Sequence, residues 1–522
     1  MATGKNSILW VDDEMDMLKP HAIYLESKGY TVHILSNGLD AVNLIRETQF
    51  DLAFLDENMP GLSGLETLSQ LKEIRPQMPI VMVTKSEEED IMDRAIGSKI
   101  ADYLIKPVKP SQLLLAIKKN IHKLELVDAQ SSQDFRKVFG QISSMLFSAR
   151  SYHDWMDIQR KMVAWELELE ESSDPGIKEV YGLQKEEVNK EFAKWIKNNY
   201  KSWFGKSNSD KPITSQNLLT SKVFPLIDAG QKVVFILIDN FRFDQWKTVA
   251  PELLQHFKLR SEDLYCSILP TATQYARNAI FAGLMPLEIQ KMFPELWVYD
   301  DEDERKNQFE EELLMRQLKR LGKNYKVHFE KFIALGSAKR LLGNTAQLVE
   351  NDLSVLVYNF VDMLSHARTE MDLIKELASD EAAYRTLTHG WFLHSDLYAL
   401  LKELAEQKVT VVITTDHGTT RVNNPVKVVG DKNTSTNLRY KLGRSLNYDP
   451  KEVFEILKPE EVMLPKTNIT STYIFATNRD FFAYPNNYNH YSKYYKNTFQ
   501  HGGVSVEEML IPFIVLDPQQ RQ

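Results

Sequence analysis

Two groups of residues in this 522-residue chain have types and spacings that do chemistry. The first is acidic: Asp12-Asp13, Asp56, then Thr84 and Lys106-Pro107, each directly after a short apolar run. Clustered carboxylates repel unless a hard cation neutralises them, and Mg2+ with oxygen ligands suits such a pocket. With Mg2+ and Lys106 stabilising the transferred oxygens, Asp56 can attack a phosphorus atom as a carboxylate nucleophile, and Thr84 would hydrogen-bond the new phosphate. The second group mixes carboxylates and imidazoles: Asp239, Asp362, His366, Asp416, His417 and His501. This N/O set is one that Zn2+ accepts without cysteine, and six donors are too many for one tetrahedral zinc and suited to two. Two Zn2+ exceed three carboxylates by one positive charge, which favours ionising a nearby hydroxyl. The segment Leu269-Pro270-Thr271-Ala272-Thr273 opens a helix expected to run to about Gly283, and it offers a hydroxyl at a helix N-terminus, where anions are favoured.

Singly, each of these residues has an ordinary structural use as a helix cap, a satisfied core group or a solvated charge. Their order and their placement at strand ends carry the signal. Short β-branched or apolar runs at 7–11, 31–35, 51–55, 80–84 and 101–105 alternate with amphipathic helical patterns, which predicts βα repeats and a parallel sheet. In such a sheet, ligands bind at the carboxyl ends of the strands, where the first group falls. Long polar helical patterns from about 113 to 200, interrupted at 172–176, predict a connector of about three helices, with Trp155, Trp165, Trp195 and Trp203 packing its core. Residues 205–212 are rich in turn formers and read as a linker. Beyond them, strand-like runs at 232–238, 354–359, 410–414 and 509–516 predict a second, larger α/β domain with a mainly parallel central sheet, and the first three deliver Asp239, Asp362 and Asp416-His417. The expected division is 1–125, 126–215 and 216–522, an α/β multidomain chain.

Composition sets the outer limits. Apolar residues are 43% and charged residues 26%, ordinary globular usage that argues against a disordered, collagen-like or coiled-coil chain. The net charge of −9 leaves no region basic enough to bind nucleic acid through bulk charge. The single cysteine, Cys266, excludes an intramolecular disulfide and any thiolate-rich zinc site. The N-terminal apolar run, Ile8 to Val11, is too short for a signal segment, and no apolar run approaches a membrane span, so the expectation is a soluble, cytoplasmic protein without membrane insertion.

The stretches Val11-Asp12-Asp13-Glu14, Leu55-Asp56-Glu57-Asn58-Met59-Pro60-Gly61, Thr84 and Lys106-Pro107 resemble the receiver domain of two-component response regulators, a flavodoxin-like fold with strand order 2-1-3-4-5. The resemblance implies that Asp56 is the phosphoacceptor, that Asp12, Asp13, Asp56 and the Asn58 carbonyl hold Mg2+, that Tyr103 moves with Thr84, and that the Lys106-Pro107 peptide is cis. It also implies a sensor histidine kinase as partner. Lys85 departs from the family, in which a small residue usually stands beside the switch threonine.

The second group resembles the PglZ branch of the alkaline phosphatase superfamily through Ile238-Asp239 with Arg242 and Asp244, Pro270-Thr271-Ala272-Thr273 with Arg277, Asp362 and His366, Asp416-His417-Gly418, Asn437 to Gly443 with Arg439 and Lys441, and His501-Gly502-Gly503. Carried over by position, Asp239, Thr271, Asp416 and His417 would hold one zinc, and Asp362, His366 and His501 the other. Thr271 or Thr273 would be the nucleophile; Thr271, directly after the proline, is favoured. Arg242, Arg277, Arg439 and Lys441 would contact substrate. A receiver, a helical connector and a PglZ domain in this order resembles the PorX-type response regulators tied to the type IX secretion system of Bacteroidota.

Arg421, Lys427, Lys432, Arg439, Lys441 and Arg444 share a stretch whose one acid is Asp431, and eight aromatics from Phe481 to Phe499 interleave with Lys493 and Lys496. Cations that track phosphates and rings that stack bases lean toward a nucleotide or oligonucleotide phosphodiester. The expected mechanism is attack by the threonine on phosphorus followed by hydrolysis of the threonyl phosphate, with phosphorylation of Asp56 favouring a homodimer. A rival reading is a metal-stabilised module that docks a sigma factor or secretion component without turnover. A third is a phosphomonoesterase or phosphotransferase of the same fold.

Overall fold

The computed structural model describes residues 6–76, 78–84, 100–121, 129–170, 175–205, 211–298, 308–332, 337–364, 378, 380–431, 434–485 and 488–519. Lys85, His366, Lys432 and most of the 205–212 linker lie outside the described residues. The chain divides into two compact units, residues 1–143 with 171–185, and residues 144–170 with 186–522.

In the first unit, β1 (Ser7–Val11), β2 (Thr31–Leu35), β3 (Leu52–Asp56), β4 (Ile80–Thr84) and β5 (Asp102–Ile105) form a parallel sheet in the order β2-β1-β3-β4-β5. Strand periodicity explains its two apolar layers. Leu9 and Val11 of β1 join Ala41, Val42, Ile45, Leu68 and Leu71 from helices Gly38–Glu47 and Gly64–Ile74. Ile8 and Trp10 point the other way, toward Leu18, Leu25, Leu113 and Ile117 from helices Met15–Ser27 and Pro110–Ile121. The central strands β1, β3 and β4 are almost entirely buried because both faces are covered, whereas the edge strands β2 and β5 keep Thr31, His33 and Asp102. All five expected strands form, each within one residue of its expected bounds.

The connector supplies the three helices that the pattern predicts, Ala129–Ser148, Tyr152–Glu170 and Pro175–Asn199. The two units share them: residues 129–143 and 175–185 group with the receiver, and the remainder with the C-terminal fold. Trp155, Trp165 and Trp203 are buried in the second unit.

The second unit is built on β6 (Val233–Ile238), β7 (Phe257–Cys266), β8 (Val327–Phe332), β9 (Leu353–Tyr358) and β10 (Thr410–Thr414). Seven short strands follow: β11 (Thr420–Arg421), β12 (Asn424–Lys427), β13 (Tyr440–Gly443), β14 (Val453–Ile456), β15 (Thr472–Ala476), β16 (Asp480–Ala483) and β17 (Phe499–Gln500); β18 (Leu510–Pro518) closes the chain. The central sheet has the order β7-β18-β10-β6-β9-β8, in which β10, β6, β9 and β8 run parallel and β18 runs antiparallel to both its neighbours. The carboxyl ends of β6, β9 and β10 therefore share one edge, as ligand sites in such sheets require. A further pairing matters for the site: β11 and β17 align Thr420 with Gln500, bringing the segment after His417 beside the segment before His501. Among the described residues no helix is long and apolar enough to cross a membrane.

Candidate metal centre and receiver pocket

In the receiver, Asp56 ends β3 and Asp12 follows β1, both buried, while Asp13 is exposed; their carboxylates approach within 4.8 Å of one another. Lys106 Nζ lies 2.8 Å from Asp12 and 2.9 Å from Asp56, so one ammonium offsets both buried acids. Burial raises the Asp56 carboxyl above its usual range, and Lys106 works against that rise. Lys106 is itself raised, its two carboxylate partners outweighing burial. Thr84 is buried at the end of β4, its carbonyl accepting from the Lys106 N–H at 2.8 Å, and Tyr103 packs against the adjoining core. The Lys106-Pro107 peptide is cis, as expected. Asn58 is exposed beside the acids. An all-oxygen donor set, with Asp13 and Asn58 exposed and Asp12 and Asp56 buried, fits Mg2+.

In the second unit the site is assembled from strand-end turns. After β6, Asn240 adopts a left-handed φ of 63°, which asparagine tolerates, and swings the chain into helix Phe243–Leu253. The Thr415 hydroxyl, after β10, accepts from the Phe241 N–H at 3.0 Å and donates to the His417 carbonyl at 2.8 Å, locking the two loops together. Asp239, Asp416 and His417, all buried, present ligand atoms within 4.8 Å of one another. His417 Nδ1 faces the Gly418 carbonyl at 3.2 Å and His501 Nδ1 faces the Thr271 carbonyl at 3.1 Å. A carbonyl only accepts, so Nδ1 of each ring is the donor there and Nε2 is the atom left to face the site. Those Nε2 atoms face carboxylates, His417 toward Asp239 at 3.7 Å and Asp416 at 3.9 Å, His501 toward Asp362 at 3.6 Å. The two rings stack with centroids 4.3 Å apart. Two imidazole Nε2 atoms beside buried carboxylates form an N/O donor set that zinc accepts, and the residues present fit it.

Arg277 is the charge hub. Fully buried, it pairs with Asp239, reaches Asp416 at 2.9 Å, and has Asn359 at 3.3 Å. Burial raises Asp239 well above its usual range against the pull of Arg277. Asp416 is held down at about 2, because Arg277 and His417 together outweigh its burial.

The two threonines make different contacts. The Thr271 hydroxyl donates to the Gly503 carbonyl at 2.9 Å and accepts from the Gly502 N–H at 3.0 Å, so it is consumed in holding the His501 loop. Thr273 instead opens helix Thr273–Ala282 with its hydroxyl 3.1 Å from His417 Nε2 and 3.5 Å from Asp239. The helix that this segment opens has Ala272 at its N-cap and Thr273 as its first residue, so the Thr273 hydroxyl stands in the first turn.

The four cations expected to contact substrate have protein partners. Arg242 pairs with Asp244 and lies over the rings of Tyr384 and Phe499, and Arg277 is spent on the ligand carboxylates. Arg439 pairs with Glu508 at 2.5 Å, and Lys441 donates to the Ser435 carbonyl at 2.8 Å beneath Tyr484. All four are buried, and a buried cation must be matched by protein acceptors. Of the aromatic stretch, Phe481, Phe482 and Phe499 are core, whereas helix Tyr488–Tyr495 buries no residue. The reading of the sequence missed Glu508, fully buried, which accepts from Arg439 and from the Gly503 N–H at 2.9 Å. An acid pair directly before an apolar strand was the signal.

A sheet edge bearing Asp12, Asp13, Asp56, Thr84 and Lys106, in one chain with an alkaline-phosphatase-like donor cluster, defines a response regulator with an enzyme-like output domain. Three family models match in succession: "Response regulator receiver domain" over residues 8–118, "PorX response regulator linker domain" over 125–204, and "BREX system PglZ alkaline phosphatase-like domain" over 218–516. The last spans more than half of the chain, which belongs to the PglZ family as a PorX-type response regulator.

Curated relatives match about a quarter of the chain. The alginate biosynthesis transcriptional regulatory protein AlgB of Pseudomonas putida is 38% identical over 123 residues, 24% of this chain and 28% of that protein. ZraR of Klebsiella oxytoca is 31% identical over 142 residues, 27% and 32% respectively. SrrA of Staphylococcus aureus is 30% identical over 128 residues, 24% and 53%. The chain thus spans between 28% and 53% of the length of these relatives. Among solved structures, a CheY-like receiver domain protein from Methanospirillum hungatei is 30% identical, covering 23% of this chain and 95% of that one, with a TM-score of 0.22.

Proposed function

We propose that the C-terminal domain is a zinc-dependent phosphodiesterase whose nucleophile is Thr273, governed by phosphorylation of Asp56. The observation that carries this reading is the Thr273 hydroxyl, at the N-terminus of a helix and 3.1 Å from His417 Nε2. Asp239, Asp416, His417 and Thr273 would hold one ion; Asp362 and His501, joined by His366, would hold a second. Bound zinc would lower the pKa of the hydroxyl and stabilise negative charge on the phosphoryl oxygens. Thr273 Oγ1 then forms a bond to phosphorus as the ester oxygen opposite departs, taking a proton from water. A second water attacks the threonyl phosphate, the Oγ1–P bond breaks, and Thr273 regains its proton. The helix N-terminus favours negative charge on Oγ1 throughout.

A diester is favoured over a monoester by charge. Arg242, Arg277, Arg439 and Lys441 are committed to protein acceptors, which leaves them no charge for the extra anionic oxygen of a monoester. Exposed Lys493 and the rings of Tyr491 and Tyr494 remain as support for a nucleotide or oligonucleotide leaving group. The matched receiver implies a sensor histidine kinase, and the match to the PorX linker supports a place in type IX secretion.

The test compares bis(p-nitrophenyl) phosphate with p-nitrophenyl phosphate in zinc-loaded protein. The diester is expected to turn over faster, and Thr273→Ala to lose roughly 1000-fold in kcat with its zinc retained. Full hydrolysis by Thr273→Ala would remove the proposed nucleophile.

A further inference from the structure

We infer that the connector is a working part of the metal centre, with Asn189 and Tyr200 as positioning residues for its loops; this rests on the zinc phosphodiesterase reading. Both sit on helix Pro175–Asn199 or the turn that ends it, within the second unit. Asn189 is 1% exposed and bonds in two directions: its Oδ1 accepts from the Val506 N–H at 2.9 Å, and its Nδ2 donates to Glu507 at 3.1 Å. The turn it grips, Val506–Met509, touches both histidine loops. The Glu508 carbonyl accepts from the Gly418 N–H at 3.1 Å, next to His417, and the Glu508 carboxylate accepts from the Gly503 N–H at 2.9 Å, two residues past His501. The approach is so close that a Cβ on Gly418 would meet the Glu507 carbonyl at 2.0 Å. Any shift of the 506–509 turn is therefore passed to both rings.

Tyr200 acts on the remaining element. Fully buried, its hydroxyl accepts from the Leu269 N–H at 2.7 Å, four residues before Thr273. Phe204, at the end of the same turn, packs against the apolar cluster that holds Ile268 and Ala276, and the position of this segment sets where helix Thr273–Ala282 begins. One helix and its terminal turn thus hold the nucleophile segment and, through residues 506–509, both imidazoles. The same helix starts in the receiver-bearing unit, whose boundary falls at Lys185, about one turn before Asn189.

The experiment uses the full chain. Zinc affinity of metal-stripped protein is measured by competition with a chromophoric chelator, alongside kcat and KM on bis(p-nitrophenyl) phosphate and a thermal melt. Asn189→Asp keeps the acceptor for Val506 but sets a carboxylate against Glu507. It is expected to weaken zinc binding about 10- to 100-fold, the range for residues that orient metal ligands. The double variant Asn189→Asp/Glu507→Gln restores a donor facing the new carboxylate and is expected to recover affinity to within about threefold. Tyr200→Phe removes one oxygen without changing the fold's volume and is expected to lower kcat about 10-fold with KM within twofold and weaken zinc binding by a smaller factor. A folded Asn189→Asp with wild-type zinc affinity, or a double variant no better than the single, overturns the role of Asn189. If Asn189→Asp does not fold, Tyr200→Phe decides, and wild-type kcat and zinc affinity in that variant overturn the inference. Zinc-loaded wild type that fails to cleave the diester sinks the phosphodiesterase reading instead, and positioning is then judged on zinc affinity alone.

Discussion

The two acid pockets of this chain occupy equivalent places, at the carboxyl ends of parallel strands, and neutralise their carboxylates in opposite ways. In the receiver a single lysine, its side chain 14% exposed, bridges Asp12 and Asp56 with one ammonium on a flexible stem. In the output domain a fully buried arginine spans Asp239 and Asp416 with the two edges of a rigid guanidinium and faces Glu310 at 3.7 Å. A lysine can leave its carboxylates for an incoming phosphoryl oxygen; an arginine fixed on three sides cannot. Lys106 therefore belongs to the chemistry, whereas Arg277 belongs to the scaffold that keeps two ligand carboxylates together before any ion arrives.

The largest expected effect separates the two nucleophiles. Asp56→Asn is expected to abolish phosphoryl uptake from acetyl phosphate, read as a phosphate-affinity gel shift, because no second carboxylate among the described residues is set opposite Lys106 at the end of β3. Thr273→Ala should still take up phosphate to within twofold of wild type. Uptake that falls with Thr273, or survives loss of Asp56, would mean that the pockets are not chemically separate.

Next in size is the contrast between the cations. Arg277→Met leaves two buried carboxylates without a partner, and metal-free protein is expected to lose about 3–5 kcal/mol in a denaturant melt. Lys106→Met also leaves two buried acids without their ammonium, but that side chain is 14% exposed where Arg277 is fully buried, and the expected loss is smaller, about 1–2 kcal/mol. Saturating zinc should recover much of the Arg277→Met loss, since the ion then carries the missing charge. Equal losses at the two positions, or no recovery with zinc, would erase the distinction between a mobile and a fixed cation.

That distinction was not readable from residue order. What could be read were positions fixed by local rules. Val233–Ile238 is apolar on every residue because helices and loops cover both faces of β6, and the acid after it must then stand at the sheet edge. The receiver's central strands were legible for the same reason, and its two edge strands by their place in the βα rhythm. The edge strands of the second sheet were not: β7 reads Phe-Lys-Leu-Arg-Ser-Glu-Asp and β8 reads Val-His-Phe-Glu-Lys-Phe, because each has a neighbour on one side alone and tolerates polar residues. The choice between Thr271 and Thr273 turned on which hydroxyl the Gly502-Gly503 backbone would occupy, a contact across 231 positions. The basic stretch around Arg439 misled for a related reason, since its partner Glu508 is 69 residues away. Long-range pairing decides whether a cation faces substrate or is buried as structure, and nothing in local spacing encodes it.

The smallest expected effect concerns a carboxyl that gets neither solution. Asp480 starts β16, and its carboxyl is raised to about 6, by burial first, with Glu452 adding to the rise and Arg439 opposing it. Arg439 cannot fully compensate, because its guanidinium is engaged by Glu508 and by the Asp480 backbone carbonyl. An acid whose folded pKa lies above its unfolded value of about 3.9 binds its proton more tightly when folded. Below about pH 4 both states are protonated and there is no penalty. Between pH 4 and 6 the unfolded state ionises first, so stability falls as pH rises, and above pH 6 the cost stays constant at about 2 kcal/mol. Asp480→Asn should therefore flatten this step and make the output domain more stable at pH 7 by about that amount, with little change at pH 4, as measured by denaturant midpoints across the range. Parallel curves for wild type and variant would show that Arg439 neutralises Asp480 after all, and that the output domain, unlike the receiver, leaves no carboxylate waiting for a charge.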